Sequence, residues 1–205
     1  MAIRYLFFDL GKVLLDFDHE SGCRQIAAVS GCSADKVDSI LFESGLENSF
    51  ETGLVDAEEF HAKFCEASGG SPSLEELLNA CSDIFSMNVS MMPVVGQLAA
   101  VNFPMGILSN TCSAHWDHVF KKHTFLRENF IDYVLSYESK SMKPDSKIYL
   151  DAINVANVQA NEIFFIDDKQ ENVDGAIAAG MDAVLYTNAS QAIIDLQSRG
   201  VRFNL

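Results

Sequence analysis

Residues 5–13 read YLFFDLGKV, and this segment determines how the rest of the chain is interpreted. We predict a strand over residues 3–8, because its apolar residues follow one another without alternation, which is typical of a strand covered on both faces. A carboxylate, Asp9, follows the strand directly, and a glycine, Gly11, comes two residues later. Ligands of open α/β sheets bind outside the carboxyl ends of the strands, so the position of Asp9 favours chemistry over packing.

The remaining hydrophobic pattern divides the chain into two kinds of sequence. From about residue 17 to residue 90 apolar residues recur at helical spacing, and two capping boxes begin at Asp56 and Ser73. This part therefore predicts a helical insert of about four helices. After residue 90 short apolar strands alternate with amphipathic helices, and this alternation predicts an α/β fold with a parallel sheet and right-handed crossovers.

The ends of four predicted strands carry polar side chains. They are Asp9 after the first strand, Ser109 and Asn110 after the second, Lys143 after the third, and Asp167, Asp168 and Asn172 after the fourth. Such ends lie along one edge of a doubly wound sheet, so we expect these side chains to converge. Carboxylates beside a lysine and a hydroxyl indicate a divalent cation with a phosphate, because magnesium prefers hard oxygen ligands and substrate phosphate. A carboxylate can also attack phosphorus and form an acyl phosphate that water hydrolyses.

The composition narrows the function further. The chain has 205 residues, of which 48% are hydrophobic, and a formal charge of −15 from 29 acidic and 14 basic residues. A surface this acidic repels nucleic acid, whereas a small anion can still bind where a metal ion and a lysine supply local positive charge. We expect neither a membrane span nor a secretory signal. The five cysteines show no CxxC spacing, and these features together favour a reducing, cytoplasmic location.

The four motifs at the strand ends resemble those of phosphatases of the haloacid dehalogenase (HAD) superfamily, and the resemblance spans nearly the whole chain. Within that superfamily the chain is most similar to the branch typified by bacterial α-D-glucose-1-phosphate phosphatase. That branch shares the glycine at Gly11, the SNT run at residues 109–111 and the DD–N pattern after the fourth strand. The resemblance implies a three-layer, Rossmann-like core over residues 1–16 and 91–205 with the sheet order 3-2-1-4-5. It also implies a helical cap over residues 17–90 that closes over the active edge.

The resemblance implies a magnesium site at the first and fourth motifs. Asp9 would be both nucleophile and metal ligand, and its attack on the phosphoryl group would give an aspartyl phosphate. The backbone carbonyl of Gly11 and the carboxylate of Asp168 would complete the protein ligands of Mg²⁺. Asp167 would hold a metal-bound water, and Asn172 would lie beside it, outside the direct ligands.

The resemblance also implies how the phosphate is held. Ser109 and the backbone amide of Asn110 would bind phosphate oxygens. Lys143 would pair with both the phosphate and Asp9, and would offset the negative charge of the transition state. The substrate would be a small phosphorylated metabolite, with neither nucleic acid nor a membrane as a partner. The sequence leaves monomer and dimer both open.

Gly11 departs from the usual motif of the superfamily. Most of its phosphatases carry an aspartate there, which protonates the leaving group and later activates water, a contribution of ~10²–10⁴-fold. Three interpretations stay open: another acid such as Asp16 or Asp18, a substrate with a good leaving group such as a sugar 1-phosphate, or a non-catalytic relative that binds a ligand or a protein. The dehalogenases of the superfamily also lack this aspartate, so a 2-haloacid dehalogenase is a further alternative.

The sequence thus predicts a magnesium-dependent phosphoric monoester hydrolase that acts on a small phosphomonoester, with a sugar phosphate as a candidate. Helical periodicity does not decide which of Glu47, Phe50 and Glu51 face the substrate. Two further roles stay open. Lys12 lies either in the active site or along the hinge of the cap, and His115 either contacts the substrate or packs at the start of a helix.

Overall fold

Strands and helices alternate through most of the computed structural model, which describes residues 2–203. The strands, numbered in chain order, are β1 (Tyr5–Phe8), β2 (Leu15–Phe17), β3 (Phe85–Met87), β4 (Met105–Ser109), β5 (Asp132–Leu135), β6 (Ile163–Asp167) and β7 (Asp182–Leu185). The helices are α1 (His19–Ser30), α2 (Ala34–Asp38), α3 (Leu46–Glu51), α4 (Ala57–Ser68), α5 (Leu74–Ser82), α6 (Met92–Ala100), α7 (Ser113–Lys122), α8 (Thr124–Asn129), α9 (Ser136–Ser139), α10 (Ser146–Ala156), α11 (Gln170–Ala178) and α12 (Ala189–Ser198). A π-helical turn (Ser39–Glu43) and a 3₁₀ turn (Ala160–Glu162) complete these elements. Within the described residues, every helix is too short or too polar to cross a bilayer.

Five parallel strands form the central sheet in the spatial order β5-β4-β1-β6-β7. Numbered among themselves, these strands follow the order 3-2-1-4-5, so the predicted α/β fold and its sheet order are confirmed. β1 lies at the centre, where Phe8 pairs with Ile107 of β4 and with Ile166 of β6. The strand order reverses at β1, and the crevice beyond its carboxyl end is therefore the place where open α/β sheets bind ligands.

The central strand β1 is buried on both faces. Leu6 and Phe8 belong to one hydrophobic cluster with α6, α7 and α12, whereas Tyr5 and Phe7 belong to another with α10 and α11. Successive side chains of a strand point to opposite faces, so the uninterrupted apolar run serves both layers at once. The strand begins two residues later than the sequence predicts, and Ile3 packs against the first cluster from outside the strand.

The helical insert contains five α-helices, α1 to α5, where the sequence predicts about four, and it has a hydrophobic cluster of its own. Phe50 and Phe60 stack within that cluster, with their ring centroids 4.5 Å apart. The capping boxes at Asp56 and Ser73 are confirmed, and they open α4 and α5. An additional break lies at Gly45, whose φ of +76° separates the π-helical turn from α3, because glycine adopts the left-handed region without a Cβ clash.

A short antiparallel ribbon of β2 and β3 joins the insert to the sheet, and the sequence pattern does not predict it. Leu15 pairs with Met87, and Phe17 pairs with Phe85. The chain therefore enters and leaves the insert side by side. The predicted start of the insert at residue 17 falls on the last residue of β2, and its predicted end at residue 90 lies three residues after β3. The division into two domains stays a prediction.

The stacked pair in the insert provides a test of stability. Phe60 is fully buried, so its replacement by alanine removes a ring from the cluster and leaves a cavity. We expect Phe60→Ala to lower the free energy of unfolding by about 3–5 kcal/mol, measured by urea denaturation. Leu54→Ala is the control, because Leu54 is 71% exposed and its truncation should change the free energy by less than about 0.5 kcal/mol. Equal losses in the two variants would show that burial of the Phe60 ring does not stabilise the fold.

Candidate active site

A lysine and two aspartates meet at the carboxyl edge of the sheet, where the sequence predicts that they converge. Asp9 follows β1, Asp167 is the last residue of β6, and Lys143 lies in the loop before α10. Lys143 Nζ lies 2.9 Å from Asp9 Oδ1 and 2.6 Å from Asp167 Oδ2. The side chains of Lys143 and Asp167 are 1% and 0% exposed, so water screens this group of charges very little.

A backbone carbonyl and the Asn110 side chain fix the position of Lys143. Nζ donates a further hydrogen bond to Leu108 O at 2.8 Å, which engages the third donor of the ammonium. The Asn110 side chain binds the Lys143 backbone in both directions, because Oδ1 accepts from Lys143 N at 2.8 Å and Nδ2 donates to Lys143 O at 2.9 Å. Burial acts to lower the pKa of Lys143, but the charges of Asp9 and Asp167 outweigh burial and raise the pKa, so the side chain stays an ammonium.

The adjacent aspartates, Asp167 and Asp168, have different surroundings. Asp167 Oδ1 accepts from Lys169 N at 2.8 Å, and Asn172 Nδ2 lies 2.9 and 3.1 Å from the two carboxylate oxygens of Asp167. Asn172 therefore lies beside Asp167. Asp168 is only partly buried and lines a cleft. One aspartate thus orients Lys143 from the interior, and the other faces the open space where a ligand can bind.

Three carboxylates form a cluster that fits a divalent cation. One oxygen each of Asp9, Asp167 and Asp168 lies within 4.8 Å of the others. Burial raises the pKa of Asp9 to about 7 and also raises the pKa of Asp168, and the neighbouring carboxylates add to both shifts while Lys143 opposes them. A cation relieves this repulsion, and hard oxygen atoms are the ligands that magnesium prefers. Gly11 lines the same cleft, as a carbonyl ligand at that position requires.

A cleft of about 470 Å³ adjoins this cluster, between the sheet and the helical insert. The predicted phosphate-binding residues, Ser109 and Asn110, both line the cleft. Ser109 does not cap the helix that follows, because the N-cap residue of α7 is Cys112. The insert contributes side chains of α3 and of the π-helical turn to the opposite part of the lining. A molecule bound in the cleft would therefore contact both the sheet edge and the insert.

The structure locates four residues whose roles the sequence left open. Lys12 extends along the ribbon, where Nζ donates to Phe17 O at 2.7 Å, and it does not line the cleft. Asp18 is the N-cap residue of α1, and Asp16 is exposed outside the cleft. His115 is buried and lines the cleft. Neither Asp16 nor Asp18 is therefore placed to act as an acid on a molecule bound there.

The Phe17 ring fills the space beside Gly11. A Cβ atom at position 11 would lie 2.8 Å from Phe17 Cε1, well inside the optimal separation of two carbon atoms. The ring also packs edge to face against His19, at a centroid distance of 4.7 Å. Any side chain at position 11 would require Phe17 to move, so the ribbon and the glycine depend on one another.

Two glutamates of the insert face the cleft, although the sequence left their orientation open. Glu47 and Glu51 lie four residues apart on α3, and their carboxylate oxygens and a ring nitrogen of His115 lie within 4.8 Å of one another. Phe50 belongs to the hydrophobic cluster of the insert instead. Burial raises the pKa of Glu47 to about 8 and that of Glu51 to about 7. The i, i+4 spacing of the two glutamates was the signal available in the sequence, but it does not give the direction in which α3 faces.

Known proteins that resemble this chain are hydrolases. The sequence pattern of the family described as haloacid dehalogenase-like hydrolase matches residues 3–180. Flavin mononucleotide hydrolase 1 from Arabidopsis thaliana is 28% identical over 156 residues, which make up 76% of this chain and 62% of the plant protein, so the match leaves more than a third of that protein uncovered. D-ribitol-5-phosphate phosphatase from Bacteroides thetaiotaomicron is 23% identical over 180 residues, or 83% of this chain and 85% of that protein.

A solved structure shows the same architecture. It is a HAD family enzyme from Bacteroides thetaiotaomicron in complex with magnesium and inorganic phosphate. The two chains share 26% sequence identity and superpose with a TM-score of 0.80, over 91% of this chain and 95% of the other. The sheet and the helical insert are thus common to both proteins over nearly their full lengths.

The buried lysine provides a second test of stability. Lys143→Met removes the positive charge that Asp9 and Asp167 share, and it leaves two buried carboxylates without this partner. We expect the free energy of unfolding at pH 7, in metal-free buffer, to fall by about 3–5 kcal/mol. Lys121→Met on the exposed side of α7 is the control and should change it by less than about 0.5 kcal/mol. If both variants unfold at the same urea concentration, the group of charges around Lys143 does not hold the sheet edge together.

Proposed function

Since this chain belongs to the haloacid dehalogenase-like hydrolase family, we propose that it is a magnesium-dependent phosphatase that hydrolyses a small phosphomonoester. The observation that carries the proposal is the buried Lys143 ammonium between Asp9 and Asp167, next to the cluster of three carboxylates. This arrangement brings a nucleophile, a cation site and a fixed positive charge to one end of a cleft. The names of the two relatives, a flavin mononucleotide hydrolase and a D-ribitol-5-phosphate phosphatase, support the same class of reaction.

Asp9 is the proposed nucleophile. Its Oδ1 accepts from Leu10 N at 2.7 Å and lies 2.9 Å from Lys143 Nζ. Both contacts hold the carboxylate through Oδ1, so Oδ2 is the oxygen that we propose attacks phosphorus. The ester oxygen departs with the electron pair of the broken bond. Water then hydrolyses the aspartyl phosphate and restores the carboxylate.

Lys143, Ser109 and the backbone amide of Asn110 are the proposed phosphate-binding groups. Lys143 is held by Leu108 O and by the Asn110 side chain, so its charge is in place before a substrate arrives. A charge that is fixed in advance stabilises a transition state without the cost of reorganisation. The Asn110 side chain is already engaged with the Lys143 backbone, which supports a role for its backbone amide in binding phosphate.

Asp9, Asp168 and the carbonyl of Gly11 are the proposed protein ligands of Mg²⁺, with Asp167 and Asn172 outside the direct ligands. Bound Mg²⁺ would neutralise the negative charges of the carboxylates and of the phosphate, so that the two anions can approach one another. The protein's part is to hold the carboxylates close together, and the contacts of Asp167 with Lys143 and Asn172 do so from the buried side.

The organic part of the substrate would lie against the insert. Phe17, His19 and Phe42 line the cleft in a row of edge-to-face contacts, with centroid distances of 4.7 and 5.2 Å, and Glu47 and Glu51 add carboxyl groups to the lining. Flavin mononucleotide and D-ribitol 5-phosphate both carry their phosphate on a primary carbon of a ribityl chain. We therefore propose a sugar phosphate or sugar-alcohol phosphate as the substrate, because its hydroxyl groups can hydrogen-bond to carboxyl groups.

Phosphate release from a panel of esters tests this function. The panel contains D-ribitol 5-phosphate, flavin mononucleotide, α-D-glucose 1-phosphate and p-nitrophenyl phosphate, each assayed with Mg²⁺ and with a chelator. We expect release that requires Mg²⁺, because the cation must offset the repulsion between Asp9 and the phosphate. We expect Asp9→Asn to lower kcat/KM by more than about 10³-fold, because the variant lacks the nucleophile.

Asp16→Asn is the matched control, because Asp16 is an exposed aspartate outside the cleft and its replacement should leave phosphate release unchanged. Absence of release from every ester, by folded protein that binds Mg²⁺, would contradict the proposed function. Halide release from 2-haloacids without phosphate release would favour a dehalogenase. Full activity of Asp9→Asn would contradict the role of Asp9 as nucleophile.

A further inference from the structure

Position 11 leaves the proposed reaction without a proton donor for the leaving group. An alkoxide leaves poorly, so an acid that protonates the departing oxygen accelerates hydrolysis of a sugar or sugar-alcohol phosphate by ~10²–10⁴-fold. Gly11 has no side chain, and Phe17 fills the space beside it. A proton donor has to come from another part of the cleft.

Within residues 2–203, the carboxylates that line the cleft belong to five residues, which are Asp9, Glu47, Glu51, Asp168 and Glu171. Asp9 and Asp168 are part of the cluster proposed to hold Mg²⁺. Glu171 is exposed at the start of α11, so burial does not hold a proton on it at neutral pH. Glu47 and Glu51 remain, and both come from α3 of the insert.

We propose that Glu51 is the general acid of the reaction, supplied by the helical insert in place of a side chain at position 11. This inference rests on the proposed phosphatase function. Glu51 lines the same cleft as Lys143 and Lys169, and the charges of these two lysines lower its pKa against the larger effect of burial. Glu47 lies one helical turn away, and both glutamates add to the effect of burial in raising the pKa of the Cys112 thiol, Glu47 more than Glu51.

A buried serine fixes the end of α3 next to the proposed phosphate-binding loop. The Ser136 hydroxyl donates to Glu51 O at 2.6 Å and accepts from Thr111 N at 2.9 Å. Thr111 directly follows the residues that we propose bind phosphate. Lys140 Nζ donates to Gly53 O at 2.7 Å and secures the same segment a second time. These contacts hold Glu51 against the part of the core to which the phosphate would bind.

The two glutamates together keep a proton at neutral pH. Burial raises the pKa of Glu51 to about 7 against Lys169 and Lys143, and burial with the charge of Glu51 raises the pKa of Glu47 to about 8. Burial lowers the pKa of His115 to about 4, so its imidazole is neutral beside the pair. Ionisation of one carboxyl group opposes ionisation of the other across a single helical turn. At pH 7 the pair therefore holds a proton that Glu51 can donate.

This proton completes the balance of both half-reactions. In the first half-reaction, an oxygen of Asp9 bonds to phosphorus and the bond from phosphorus to the ester oxygen breaks. The ester oxygen keeps the electron pair of the broken bond and takes the proton of Glu51, so the leaving group departs as a neutral alcohol. In the second, water attacks phosphorus and gives a proton to the Glu51 carboxylate, while the bond from Asp9 to phosphorus breaks and returns its electrons to the Asp9 carboxylate. The products are an alcohol and inorganic phosphate, and Glu51 is again protonated.

A comparison of two leaving groups in Glu51→Gln tests this inference. The leaving group of an alkyl phosphate such as D-ribitol 5-phosphate is an alkoxide, which needs a proton. The leaving group of p-nitrophenyl phosphate is a stable phenolate, which does not. We expect kcat/KM for the best alkyl phosphate of the panel to fall by ~10²–10⁴-fold, and kcat/KM for p-nitrophenyl phosphate to change by less than about threefold. In this variant the second half-reaction lacks its base, so the aspartyl phosphate should accumulate. We therefore also expect a burst of p-nitrophenolate equal to the enzyme concentration.

Two further variants complete the test. Glu58→Gln is the matched control, because Glu58 is an exposed glutamate of α4 and its replacement should leave both substrates unaffected. Glu51→Asp keeps a carboxyl group and should recover part of the activity on the alkyl phosphate. Equal losses on both substrates in Glu51→Gln would overturn the proposal, since they would indicate a role in folding or binding, and so would unchanged activity on the alkyl phosphate. Wild-type protein that hydrolyses neither substrate would overturn the phosphatase function itself, which is a separate outcome because it involves no variant.

Discussion

The Lys143 ammonium is the buried charge on which the arrangement of the sheet edge depends. Its three donors reach Asp9 after β1, a carbonyl of β4 and Asp167 at the end of β6, so one cation joins the ends of three strands. A buried charge costs several kcal/mol unless partners compensate it. Asn110 holds the Lys143 backbone and Asn172 holds the Asp167 carboxylate, so both amides complete this set of contacts. The positions of these residues therefore serve the stability of the edge as well as the proposed chemistry.

The cleft is lined by two parts of the chain, the sheet edge and the helical insert, and neither part forms it alone. The sheet edge supplies the carboxylates and the lysine, whereas the insert supplies aromatic rings and the glutamates of α3. The Ser136 hydroxyl joins the two parts, because it bonds to the carbonyl of Glu51 and to the amide of Thr111. With an acid on the insert, proton transfer would depend on the insert being seated against the core, and closure and chemistry would then be coupled.

The residues at the strand ends were predictable because the topology of a parallel sheet determines where they lie. Asp9, Lys143 and Asp167 need only the order of strands to be brought together. The β2–β3 ribbon was missed because strands of three residues carry too little periodicity to be recognised. The orientation of Glu51 was also out of reach, since α3 has only six residues and its direction depends on a tertiary contact, the stacking of Phe50 on the ring of Phe60.

The ribbon also bears on how such a protein can diversify. Leu15 and Met87 are paired across it, so the two ends of the insert lie about 5 Å apart. A segment with adjacent ends can be exchanged for another of different length while the sheet keeps its shape. Asp9, Lys143 and the other proposed phosphoryl-transfer residues lie outside that segment, and Glu51 lies within it. Replacement of one continuous stretch of chain can therefore change which molecules the cleft accepts, and which acid it offers them, while the residues proposed to bind and transfer the phosphate are inherited intact.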